Sequence, residues 1–194
     1  MAETSSDYPR DRREFFRDSL RRLVAPLADF LEQRLPQIMP REHLRPPGAL
    51  PEKLFTETCY RCGNCVEICP ASAIRKLVSD DPAQNGTPYI DPEIAACIVC
   101  EGLECMRVCP SGALRMVESK LDIRMGLARV HHGLCLRNHG QDCTACVDRC
   151  PLGRTAIRFD EIGRVEVIDP GCVGCGTCQN ACPTSPRAIV VEPL

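Results

Sequence analysis

The sequence predicts an α+β fold in which one small strand, loop, helix, strand unit occurs twice, preceded by an amphipathic helical arm. Three observations predict it. The 194 residues carry 16 cysteines in four groups of four, each ending in Cys-Pro. Short apolar strand signals flank those groups. Ahead of them Phe16, Leu20, Leu23, Leu27, Leu31 and Leu35 recur at three- and four-residue spacing, the period of one helix face.

The groups are Cys59, Cys62, Cys65, Cys69; Cys97, Cys100, Cys105, Cys109; Cys135, Cys143, Cys146, Cys150; and Cys172, Cys175, Cys178, Cys182. Pro70, Pro110, Pro151 and Pro183 follow them. An even number of cysteines fits disulfides, zinc or iron-sulfur clusters, and spacing separates the three. Structural zinc sites use two separated Cys-x-x-Cys knuckles, whereas the first run crowds three thiols into seven residues. A disulfide network needs uncrowded cysteines and a secreted context, and no secretory signal with an unbroken apolar stretch is present. The first and fourth runs match the C-x2-C-x2-C-x3-C-P pattern of bacterial ferredoxins, in which three cysteines of one run and the fourth of a partner run hold each [4Fe-4S] cluster. Sixteen ligands therefore imply four [4Fe-4S] clusters on two dicluster-ferredoxin-like modules. A zinc-stabilised interaction scaffold is the competing reading from another class.

Three thiolates close in sequence reach one cluster only if the chain between them turns tightly. Gly63 and Asn64 in the first run, and Gly174, Gly176 and Thr177 in the fourth, permit such turns. The turns aim backbone N–H groups at sulfur, which with a dry surrounding shell sets the reduction potential. Val66, Ile68, Val108, Val147 and Val173 are candidates for that shell, or equally for ordinary core. The proline after each run fixes φ and lets the fourth cysteine point at a different cluster.

Strand signals follow the runs at Ala73-Ile74, Ala113-Leu114, Ala156-Ile157 and Ala188-Ile189-Val190-Val191. Others precede the later runs at Pro88 to Pro92, Leu127 to Val130 and Val165 to Pro170. Residues Ala156 to Ile168 read as a hairpin around Asp160-Glu161-Ile162-Gly163, and Ser79 to Thr87 as a polar insertion loop. The runs pair either sequentially, first with second and third with fourth, or in nested order, first with fourth and second with third. Nesting is the arrangement of the four-cluster subunits of molybdenum oxidoreductases, and the C-x2-C-x4-C-x3-C-P form of the second run, which resembles theirs, favours it.

Composition narrows the function. With 8 aromatic residues and no Trp, the core is thin and cluster ligation is expected to supply much of the stability, leaving the apo chain poorly folded. A formal net charge of −2 does not suggest nucleic-acid binding. His43, His131, His132 and His139 show no ligand spacing, so they are expected at the surface or behind the ligands, and a Rieske-type site is not supported. There is no Gly-rich dinucleotide fingerprint and no phosphate-binding loop. With every cysteine used as a ligand, no open iron remains for substrate, so the chain is expected to be an electron carrier and not an enzyme.

The organisation expected is an arm over 1–35, a Pro-rich linker over 36–51 and a tandem cluster domain over 52–194. Asp11-Arg12-Arg13-Glu14-Phe15-Phe16-Arg17 resembles a twin-arginine export motif, but Arg21, Arg22, Asp29, Glu32 and Arg34 interrupt the apolar stretch such a signal needs. The alternatives for the arm are a helix packed on its own domain, an export signal, or a docking helix giving peripheral membrane contact through 11–35. Arg12, Arg13, Arg17, Arg21 and Arg22 suit the last of these. The expected location is cytoplasmic or peripheral on a membrane, with periplasmic export as the alternative.

The order and spacing of the runs resemble the NapG/MauM-type ferredoxins, accessory proteins of periplasmic nitrate reduction and methylamine oxidation. The most specific element is Cys135-Leu136-Arg137-Asn138-His139-Gly140-Gln141-Asp142-Cys143, where a seven-residue gap replaces the usual two. The resemblance spans about residues 50 to 194 and the twin-arginine-like element. It implies a relay of single electrons through four clusters, between a redox donor such as a membrane quinol dehydrogenase and a partner oxidoreductase. An electron-transfer subunit of a cytosolic oxidoreductase complex is the alternative.

Overall fold

Each cysteine run places its third cysteine in a single turn of helix, and that recurrence organises the domain. The computed structural model describes residues 43–194. The expected arm, its twin-arginine-like element and residues 36–42 of the expected linker lie outside the described residues. Helix α1 (Glu52–Thr58) precedes the first run. Helices α2 (Asn64–Glu67), α3 (Glu104–Arg107), α4 (Ala145–Asp148) and α5 (Thr177–Ala181) carry Cys65, Cys105, Cys146 and Cys178. Helices this short do not persist on propensity alone, so tertiary packing must hold them.

Six strands form three antiparallel pairs among the described residues. Strands β1 (Ile74–Lys76) and β2 (Pro88–Ile90) make a hairpin in the first module. Strands β4 (Ile157–Phe159) and β5 (Val165–Val167) make its counterpart in the second, at the expected Asp160–Gly163 turn. Strand β3 (Gly126–Val130) pairs with β6 (Ile189–Pro193), joining the two ends of the second module. In the first module that outer ladder shrinks to one bridge, Ala49 with Leu114. It is held by Leu50 N–H to Ala113 O at 3.0 Å and Arg115 N–H to Gly48 O at 2.8 Å. The strand expected at Ala113-Leu114 survives only as this bridge.

The described part of the expected linker is therefore built into the first module. Leu44, Arg45, Pro46 and Pro47 are all buried. Arg45 has no exposed side-chain surface and pairs with Glu52 at 2.5 Å. It also donates to Thr87 Oγ1 at 2.9 Å and Pro88 O at 3.0 Å and lies 4.9 Å over the Phe55 ring. One buried cation thus ties the entering segment, α1 and the 79–87 loop together, and each of its N–H groups has a partner, as burial of a charge requires.

The described residues 43–194 belong to one unit, and the two modules within it are joined by hydrogen bonds and an ion pair. Cys97 N–H donates to Cys175 O at 3.0 Å. Gln179 Nε2 donates to Glu93 at 2.8 Å, and Arg187 pairs with the same carboxylate at 3.0 Å. The core mixes aliphatic residues, Ile123, Met125 and Val173 among the most buried, with six buried cysteines: Cys65, Cys105, Cys135, Cys175, Cys178 and Cys182.

Candidate metal centres

The sixteen thiols gather around four cavities, each holding about 340 to 390 Å³ of empty space, part of it open to solvent. Cys59, Cys62 and Cys65 line the first together with Cys109. Cys97, Cys100 and Cys105 line the second with Cys69. Cys135, Cys143 and Cys146 line the third with Cys182, and Cys172, Cys175 and Cys178 line the fourth with Cys150. Each cavity takes the first three cysteines of one run and the fourth of its partner. The pairing is sequential, first run with second and third with fourth, which corrects the nested order that the second run's spacing favoured. The extra residue pair in that run is absorbed locally by Leu103, in the left-handed region at φ 46° just before α3, so it carries no information about the partner.

Left-handed residues recur at matching places in the runs. Arg61, Val99 and Gly174, each two residues after the first cysteine, have φ of 56°, 49° and 69°. A branched side chain such as Val99 pays a steric penalty there that surrounding structure must hold in place. The turn delivers what the sequence leads one to expect, a backbone donor at sulfur. Arg61 N–H donates to Cys59 Sγ and Val99 N–H to Cys97 Sγ, both at 3.4 Å. Leu114 N–H does the same for Cys109 at 3.4 Å.

Hydroxyls also reach sulfur. Ser111 Oγ lies 3.6 Å from Cys109 Sγ, Thr177 Oγ1 3.2 Å from Cys175 Sγ, and Thr184 Oγ1 3.2 Å from Cys182 Sγ. Of the three only Thr177 was singled out by sequence reasoning, and then as a turn former. The signal that finds them all is a hydroxyl two residues after a cysteine. Among the expected shell residues, Val66 lines the first cavity and Val173 the fourth. Val147 packs against the core without lining these cavities, and Ile68 is exposed.

The seven-residue gap of the third run folds as a short 3-10 turn over Leu136–His139. Arg137 fastens it: the guanidinium stacks 4.0 Å over Phe159, donates to Gly163 O at 2.6 Å and pairs with Asp142 at 2.7 Å. Pinned on the β4–β5 hairpin, the gap still returns Cys135 and Cys143 to one cavity. No histidine lines any of the four cavities; His139 Nε2 donates to Gly133 O at 2.9 Å and His43 meets Tyr89 edge-on at 5.8 Å.

Burial, then neighbouring thiols, pushes Cys65 up to about 12. Burial likewise takes Cys97 and Cys105 up to about 12 and Cys146 to about 11. Cys178 is raised by burial, then by Cys175, Cys172 and Cys146. Cys109 and Cys182 behave oppositely: burial raises them, but the Leu114 N–H and Ser111 at one, and Thr184 at the other, outweigh it and lower both. Crowded thiols, several of them pushed up by burial, suit a guest that displaces protons and takes four sulfurs at once. Among the described residues no group of three or more His, Cys, Asp or Glu side chains could hold a single metal ion.

Paired modules, each bringing two runs of four cysteines to two cavities, define an electron-transfer protein of the [4Fe-4S] dicluster class. The model of the 4Fe-4S dicluster domain matches residues 58–113 and 141–185, dividing the runs as the cavities do and leaving Cys135 outside. The methylamine utilization ferredoxin-type protein MauM of Paracoccus denitrificans is 40% identical over 159 residues, covering 77% of this chain and 71% of that protein. The ferredoxin-type protein NapG of Escherichia coli is 37% identical over 198 residues, covering 94% and 86%. The chain belongs to this MauM and NapG family of ferredoxin-type proteins. A chain of a formate dehydrogenase, heterodisulfide reductase and formylmethanofuran dehydrogenase complex from Methanospirillum hungatei is 21% identical, with a TM-score of 0.28 over 72% of this chain and 50% of that one. At that score the likeness carries no argument.

Proposed function

We propose that all sixteen cysteines are ligands and that the protein relays single electrons through four [4Fe-4S] clusters set in a row. The observation that carries this is the four-thiol lining of every cavity. When bound, each cluster takes up and gives back one electron without making or breaking a substrate bond.

The chain's own residues give the row its order. Cys105 of the second cavity feels Cys65 of the first, and Cys178 of the fourth feels Cys146 of the third. Across the module boundary Cys97 and Cys175 are hydrogen-bonded through their backbones. The order is therefore first, second, fourth, third, with the first and third cavities at the ends. Apolar side chains line the inner cavities, and the N–H and hydroxyl donors at sulfur steady the thiolates.

The partners that fit are redox proteins: a donor such as a membrane quinol dehydrogenase at one end and an oxidoreductase at the other. The arm over residues 1–35 serves partner or membrane contact, with the protein cytoplasmic or peripheral on a membrane. No helix among the described residues is long and apolar enough to cross a membrane. Iron, acid-labile sulfide and zinc per chain, measured on anaerobically purified protein, test the reading. About sixteen iron with about sixteen sulfide supports it; about four zinc with little sulfide replaces it with the structural scaffold. For the arm, membrane association that survives deletion of residues 1–42 would rule out contact through it.

A further inference from the structure

Two cations distinguish one cavity from the other three. Arg61 and Lys76 line the first cavity, whereas among the described residues no charged side chain lines the second, third or fourth. Arg61 is fixed in place: its guanidinium donates to Asn85 O at 3.0 Å, Ala83 O at 2.9 Å and Cys59 O at 3.3 Å. All of these are neutral carbonyls, so the charge is held without being cancelled, and Cys59 feels it. The ammonium end of Lys76 lies over Gly63, where an added Cβ would sit 3.0 Å from Nζ. No ion pair is recorded for Lys76 among the described residues, whereas Arg187, whose guanidinium reaches Cys182 O near the third cavity, is matched by Glu93.

Reduction adds one negative charge to a cluster, so an uncancelled cation beside it favours the reduced form more than the oxidised one. We infer that Arg61 and Lys76 make the first-cavity cluster the highest in potential of the four, and hence the end from which electrons leave. Each electron reaches this end from the neighbouring second-cavity position, which is oxidised by its loss, and passes to a one-electron acceptor protein; no proton or bond changes hands. Cys62, the one exposed thiol of the sixteen, belongs to this cavity and gives the acceptor its closest approach. The 79–87 loop acquires a role in this arrangement, because its carbonyls aim Arg61 at the cavity.

The inference rests on the four-cluster reading, and the test separates the two. Redox titration followed by electron paramagnetic resonance is run on the full chain, as wild type and as Lys76→Gln, Arg61→Gln, Arg61→Lys and the double Gln variant. Cys62→Ser, which alters the signal of the first-cavity cluster, identifies its midpoint. The expected result is that this cluster titrates highest and that each Gln variant lowers its reduction equilibrium constant about threefold or more, ~28 mV for one electron. The double variant shifts it further, Arg61→Lys leaves it near wild type, and the other three midpoints stay in place. Should Arg61→Gln lose iron, Lys76→Gln carries the test, since Lys76 is exposed. Sixteen iron with unmoved midpoints in that variant, or a different cluster titrating highest, would overturn the inference alone. Substantially fewer iron in the wild type would overturn the four-cluster reading and the inference with it.

Discussion

Cys97 and Cys175, ligand candidates of different modules, are joined backbone to backbone by a 3.0 Å hydrogen bond from the N–H of one to the carbonyl of the other. The bond makes the module boundary part of the metal-binding structure, because the chain that positions the second cavity also abuts the fourth. A relay across two modules needs such a fixed junction, and side chains reinforce it.

Glu93 is the main side-chain clasp at that junction. Its carboxyl is held below the usual carboxylate range by the Gln179 amide and then by Arg187. A lowered carboxyl contributes stability above its unfolded pKa and loses it as pH falls through the folded value. Glu93→Gln should therefore cost about 1 kcal/mol or less, given the exposure of the carboxylate. The cost should stay flat across about pH 6 to 8. Thermal unfolding at several pH values checks both.

Gly174 has φ of 69° and its Cα faces the backbone of Gly126 so closely that an added methyl would collide with it. Backbone cannot retreat as a side chain can. Gly174→Ala is expected to destabilise by roughly 2 to 4 kcal/mol and to lower iron at the fourth cavity. Chemical denaturation with iron analysis measures the two together.

Cys143 lies across the seven-residue gap from Cys135, outside any regular ferredoxin spacing, yet both line the third cavity. Cys143→Ser should lose or weaken one cluster, up to about four of about sixteen iron. Intact iron and an unchanged spectrum would contradict its assignment as a ligand.

Arg45 has no exposed side-chain surface and pairs with Glu52, whose side chain is 12% exposed. Arg45→Ala strands that carboxylate and removes the tie to Thr87 and Pro88. A loss of roughly 3 to 5 kcal/mol is expected, and Arg45→Met together with Glu52→Gln should recover part of it. Calorimetry of the loaded protein distinguishes them.

Removing iron should unfold the domain. Six of the cysteines are buried, the strands are three to five residues long, and α2 to α4 are four residues each. Chelation under anaerobic reducing conditions is expected to abolish amide-exchange protection across the domain. A chain that kept its protection without iron would show that the aliphatic core suffices.

The spacing of Cys59, Cys62, Cys65 and Cys69, and of its three counterparts, determined which residues are the candidate ligands that line the cavities, because a turn of a few residues is a local property that sequence encodes directly. The hairpin at Asp160–Gly163 was legible for the same reason. Only the tertiary structure decided which runs share a cavity: the second run's longer spacing pointed to nesting, while the extra length is taken up in a left-handed turn at Leu103. It also decided that Arg61 and Lys76, separated by 15 positions (76 − 61), face one cavity, and that Leu44 to Pro47 belong to the module they enter. Those outcomes depend on ladders and hydrogen bonds between distant segments, which local periodicity does not specify.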